Sequence, residues 1–97
     1  MRENINVQKV DDQIDHVLEQ IVHRRRRLGL SQTDLADKLD ITLSGYYKIE
    51  KGKTKLDFRR MLEISEVLNV EINYFLKYPI VNINILGKRN VLLSEIT

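Results

Sequence analysis

The 97-residue chain has no cysteine, which excludes disulfide bonds and thiolate metal sites and fits a reducing cytoplasm. Its only two histidines, His16 and His23, lie seven residues apart with Glu19 between them. A protein metal centre normally draws three or four ligands, so this pair reads as two surface histidines, and no metal or cofactor is expected. With four glycines there is no phosphate-cradling loop. No nucleophile-elbow pattern occurs, and neither histidine has an obvious serine partner. These gaps together argue against an enzyme. No apolar run approaches the length of a membrane span, and Met1-Arg2-Glu3-Asn4 does not open a signal-peptide core, so a cytoplasmic protein is expected.

What the chain does have is a basic middle. Residues 24–60 carry eleven basic and five acidic side chains, a net of +6, within a total of only +2. Residues 1–23 are net −3 and residues 61–97 net −1. A polyanion binder needs such a footprint, although a solvated basic face would look the same. A hydrophobic content of 42% with 31% charge suits one soluble folded domain, small enough for oligomerisation to help stabilise it.

Residues 1–10 are polar without a clear period and are expected to form a loose arm. From Asp11 onward, Ile14, Val17, Leu18, Ile21 and Leu28 recur at helical spacing, with Asp11 and Asp12 suited to the N-terminus and Gly29 to the stop. Ser31 reads as an N-cap with Asp34 three residues on, and Leu35, Ala36 and Leu39 form the buried stripe of a short second helix. Asp40 and Ile41 make a turn. Thr42 caps a third helix that runs to about Glu50, with Tyr46 and Ile49 inward and Gly52 beyond its end. Asp57 caps a fourth helix, with Phe58, Met61, Leu62, Ile64, Ser65, Val67 and Leu68 as its apolar-side positions. Asn69 breaks it, and Ile72, Tyr74, Phe75 and Leu76 suggest a short fifth. After the single proline, Pro79, the pattern becomes strand-like: Val81, Ile83 and Ile85 alternate with Asn82 and Asn84. Gly87 to Asn90 reads as a turn and Val91-Leu92-Leu93 as a second apolar run. A lone hairpin is marginal in water, so these strands should pack on something.

Two short helices joined by a tight turn in a basic surround can set the second helix into a DNA major groove. The stretch Leu30-Ser31-Gln32-Thr33-Asp34-Leu35-Ala36-Asp37-Lys38-Leu39, followed by Ile41-Thr42, Tyr46, Ile49-Glu50 and Gly52, closely resembles the lambda-repressor-like (Cro/CI, XRE) helix-turn-helix family. The resemblance extends roughly from Ile14 to Leu76 and implies a five-helix fold. It places Ala36 where the two motif helices cross, and Gln32 where the family binds a DNA phosphate. Arg25 and Glu50 match a pair of positions that the family often joins as a structural ion pair. By the same match, Leu43, Ser44, Tyr47 and Lys48 face the bases. Lysine can donate to guanine and leucine can meet a thymine methyl. Tyr47 could also pack sideways on the domain.

Thr42, Lys51, Lys53 and Lys55 are candidates for phosphate contacts, which position a protein on DNA without specifying sequence. Arg24, Arg26 and Arg27 either reach the backbone or favour their helix's C-terminus. There are two departures from the family pattern. Asp40 stands where glycine is commonest, and Gly45 falls inside the recognition helix. Gly45 is either tolerated drift or room for close approach to DNA.

The expected protein is therefore all-α, a five-helix lambda-repressor-like domain over residues 11–77 with a β-strand or hairpin extension over 78–97. It should bind double-stranded DNA as a homodimer on a near-palindromic operator, most simply as a transcriptional repressor. Val81, Ile83, Ile85, Val91 and Leu93 are the candidate dimer interface. The alternatives are an antitoxin-like interaction module whose tail grips a protein partner, a structural nucleoid-type binder, and a tail that folds back on its own domain.

Overall fold

A computed structural model describes residues 4–77, which form five helices and, among the described residues, no strand. In chain order they are α1 (Val7–Arg27), α2 (Gln32–Leu39), α3 (Leu43–Glu50), α4 (Phe58–Val67) and α5 (Asn73–Leu76). The expected strands, and with them Val81, Ile83, Ile85, Val91 and Leu93, lie outside the described residues.

Side-chain caps start the first four helices. Asn6, Ser31, Thr42 and Asp57 each accept a hydrogen bond from the backbone N–H three residues on, and Asp34 reciprocates by accepting from the Ser31 N–H at 2.8 Å. Each cap satisfies one of the donors a helix start leaves orphaned, worth about 1 kcal/mol. The same four helices end alike, with a residue of positive φ just beyond: Gly29, Asp40, Gly52 and Asn69. After α3, for example, the Gly52 N–H donates to the Ile49 carbonyl and the Lys53 N–H to the Lys48 carbonyl, which closes the last turn. Asp40 at φ 58 and ψ 46 fills the turn position that the family usually gives to glycine; aspartate tolerates this left-handed geometry better than most residues.

One expectation is corrected. The loose arm does not reach residue 10, because α1 begins at Val7 with Asn6, not Asp11, as its cap. Val7 and Val10 extend the spacing of Ile14, Val17 and Ile21 back by about two more turns. Ile14, Leu28, Phe58 and Leu62 fall at the apolar helical spacing but are substantially exposed.

The core is formed by Leu18 and Ile21 from α1, Leu35 and Ala36 from α2, Tyr46 and Ile49 from α3, Met61, Ile64 and Leu68 from α4 and its C-cap, and Phe75 from α5. Ile21, Leu35, Tyr46, Ile64, Leu68 and Phe75 have no or almost no exposed surface. Helix α5 is only four residues long and is held from outside. The His16 Nε2 donates to the Lys77 carbonyl at 2.6 Å, and the Arg24 Nε donates to the Leu68 carbonyl at 3.0 Å. Arg24 thus closes the end of α4 and also lies over the Tyr74 ring, which commits it to the side of the domain formed by α4 and α5.

Candidate nucleic-acid interface

Helix α3 is short enough that its two faces can be described residue by residue. Tyr46, Ile49 and Glu50 are buried, whereas Leu43, Ser44, Tyr47 and Lys48 are exposed. This division follows helical periodicity, since positions three and four apart share a face.

The buried face ends in a polar hub. Glu50 accepts from Arg25 through Nε at 2.7 Å and through Nη2 at 3.1 Å, a bidentate pair that ties α3 to α1. The Tyr46 hydroxyl donates to the same carboxylate at 2.5 Å and the Gln32 amide at 2.8 Å, which brings in α2. A further Arg25 nitrogen donates to the Leu30 carbonyl at 2.9 Å. Burial alone would raise the Glu50 carboxyl, but the hydrogen bonds from Arg25, Tyr46 and Gln32 outweigh it and hold the group below its ordinary value. Hydrogen bonding to Glu50 raises the Arg25 guanidinium further, and burial followed by the Glu50 bond raises the Tyr46 hydroxyl. All three groups therefore keep one protonation state across the neutral range. A buried ion pair is tolerable when its remaining lone pairs and protons are satisfied, and here four donors converge on one carboxylate.

The sequence pointed to Arg25 and Glu50 but not to the other two members. Spacing places Tyr46 inward without pairing its hydroxyl, although its position four residues before Glu50 is the available signal. Gln32, expected at a phosphate, spends one amide N–H on Glu50; its NH2 group has a second donor.

The exposed face of α3 is different in kind. Leu43 is 49% exposed and Tyr47 44%, and Tyr47 carries the Lys51 ammonium 5.5 Å from its ring centroid. Tyr47 therefore projects outward rather than packing on the domain. Its cation–π contact sets a positive charge beside the face at the cost of little ordering. Lys48, Lys53 and Lys55 are exposed, as are Arg26 and Arg27. Thr42 begins the helix, and its Oγ1 accepts the Gly45 N–H at 3.0 Å, leaving the hydroxyl proton free to donate outward. A Cβ added at Gly45 would lie 3.1 Å from that same Oγ1, so the missing side chain of Gly45 leaves room for the helix's own cap. Among the described residues no group of three or more His, Cys, Asp or Glu could hold a metal ion, and no helix is long and apolar enough to cross a membrane.

A helix-turn-helix family model matches residues 22–75, from the second half of α1 to α5, more than half of the chain. The chain belongs to the lambda-repressor-like helix-turn-helix family. This is a family of DNA-binding transcriptional regulators, not of enzymes. The chain is 40% identical over 60 residues to an uncharacterised HTH-type transcriptional regulator of Sinorhizobium medicae, covering 62% of this chain and 43% of that one. It is 38% identical over 53 residues to another of Bacillus subtilis, YqaE, covering 55% and 46%. A third, of Rickettsia prowazekii, is 34% identical over 74 residues, covering 76% and 55%. The chain spans about half the length of the curated relatives it matches. No solved structure matches it.

Proposed function

We propose that the protein is a sequence-specific transcriptional repressor that binds a near-palindromic operator as a homodimer, with α3 as its recognition helix. The observation that carries this reading is the division of α3. One face is locked to α1 and α2 through Glu50, while Leu43, Ser44, Tyr47 and Lys48 project from the other with no core role. In a major groove Lys48 donates to guanine, Ser44 serves as donor or acceptor, and Leu43 meets a thymine methyl. With one strong hydrogen-bonding reader, DNA shape contributes the rest of the selectivity.

Gln32, Thr42, Lys51, Lys53 and Lys55 supply the phosphate contacts that fix register. Two-fold symmetry sets two copies of α3 on successive major grooves of one DNA face. The C-terminal segment carries the contact between copies, with Val91 and Leu93 foremost among its apolar candidates. The names of the bacterial relatives, all HTH-type transcriptional regulators, support the regulatory role.

Selection of bound duplexes from a random pool at physiological salt tests the proposal. It predicts an enriched motif with two inverted half-sites, about 10–10.5 base pairs or a multiple apart. An unenriched pool would point to non-specific binding, and a single half-site would remove the dimer. Lys51→Ala should weaken binding to all duplexes alike and flatten the salt dependence by about one phosphate contact.

A further inference from the structure

Sharing no residue with the polar hub, an open apolar groove of about 420 Å³ lies between α1, α4 and α5. Val10, Ile14 and Val17 of α1 form one wall, Leu56 and Phe58 another, and Leu76 of α5 a third. No charged side chain lines it. Ile14 is 48% exposed, Phe58 68% and Leu76 53%, a concentration of apolar surface that a soluble domain normally covers.

Three observations bear on what covers it. The first is where the described chain leaves. The hydrogen bond from His16 to the Lys77 carbonyl pins the end of α5 beside α1, next to Leu76 and at the groove's own rim. Lys77 is already extended, at φ −68 and ψ 114, and the Tyr78-Pro79 step that follows disfavours a return to helix. The second is pattern. Residues 80–86, Ile-Val-Asn-Ile-Asn-Ile-Leu, are uncharged like the groove, and in an extended chain Val81, Ile83 and Ile85 share one face while the two asparagines share the other. Six extended steps span about 20 Å, enough to cover the ten helical steps from Val17 back to Val7, about 15 Å. The third is charge. A segment running that way brings Lys88 and Arg89 toward the first half of α1, where residues 7–19 hold Asp11, Asp12, Asp15 and Glu19 against one lysine, Lys9.

We infer that residues 80–86 lie extended across this groove on their own domain, with Val81, Ile83 and Ile85 turned inward. The groove is thus an intramolecular docking site, and Val91 and Leu93 are the apolar residues left for contact between copies. This inference does not depend on DNA binding.

Because the protein has no cysteine, paired cysteines report on the geometry without background. In the full chain, Ile14→Cys is combined in turn with Val81→Cys, Asn82→Cys, Ile83→Cys, Asn84→Cys and Ile85→Cys, and each variant is oxidised and run on a non-reducing gel. Disulfides need closely placed Cα atoms and converging side chains, and Val81 and Ile85 lie about 13 Å apart in an extended chain, so the odd-numbered partner that passes Ile14 should close a bond within one chain and its even-numbered neighbours should not. As a second readout, Ile83→Asn in the full chain should lower Tm by several degrees, while Asn84→Ala leaves it unchanged. Equal cross-linking at odd and even positions, bonds that form between chains, or an unmoved Tm for Ile83→Asn would each overturn the inference.

Discussion

The two faces of α3 belong to the same eight residues, yet they are determined by different things. On the inner face every polar group has its partner within the chain: Glu50 is met by Arg25, Tyr46 and Gln32, and Ile49 and Tyr46 fill the core. On the outer face Leu43, Ser44 and Lys48 are exposed, and the half-exposed Tyr47 ring carries the Lys51 ammonium. The inner face specifies where the helix sits. The outer face can vary without disturbing the fold, and regulators with different targets can therefore share one scaffold.

The largest effect is expected at the hub. Glu50→Ala would leave the Arg25 guanidinium and the Tyr46 hydroxyl buried without their acceptor, a loss of about 3–5 kcal/mol that should unfold much of so small a domain. Urea denaturation followed by circular dichroism measures it, and a loss below about 1 kcal/mol would mean that the hub is not what holds α3. Next is Ala36→Leu, at a site 2% exposed where α2 meets its neighbours. Overpacking there should cost about 1–3 kcal/mol, read in the same denaturation series. Thr42→Ala removes the cap of α3 and should cost about 1 kcal/mol.

Acid should act on the inner face of α3 and on the cap of α2, not on the outer face of α3. The Glu50 carboxyl is held below its ordinary value, and so is Asp34, chiefly by the Ser31 backbone N–H. A depressed carboxyl contributes stability that is present above its unfolded-state pKa of about 4 and is lost as pH falls through the folded value. Unfolding free energy should therefore stay level from neutral pH to about 5 and decline below that, with a shallower decline in Glu50→Gln.

Much of this was legible in the sequence, because it rests on local rules. Ser31, Thr42 and Asp57 were readable as caps from residue type and spacing, and Gly29, Gly52 and Asn69 as stops. The exposed set on α3 followed from the family register once Tyr46 and Ile49 were placed inward. The start of α1 is not legible from caps alone: Asp11 and Asp12 make an attractive N-terminus, whereas Asn6, five residues earlier, accepts from the Lys9 N–H and begins the helix. Phe58 and Leu62 fit the apolar spacing of α4 yet stay exposed, because periodicity shows that a face is apolar, not whether another helix covers it. The convergence of Gln32 and Tyr46 on Glu50 joins three helices, and no spacing within any one of them carries that information.

The smallest expected change in stability comes with the largest expected change in specificity. Lys48→Ala removes an exposed side chain and should alter unfolding free energy by no more than about 0.5 kcal/mol. If the outer face of α3 reads bases, the sequences this variant selects from a random pool should lose their preference at one position of each half-site, a discrimination of about 1–3 kcal/mol, while affinity for unrelated DNA falls only slightly. An unchanged motif, or a uniform loss of affinity across all sequences, would contradict the assignment of that face to base recognition.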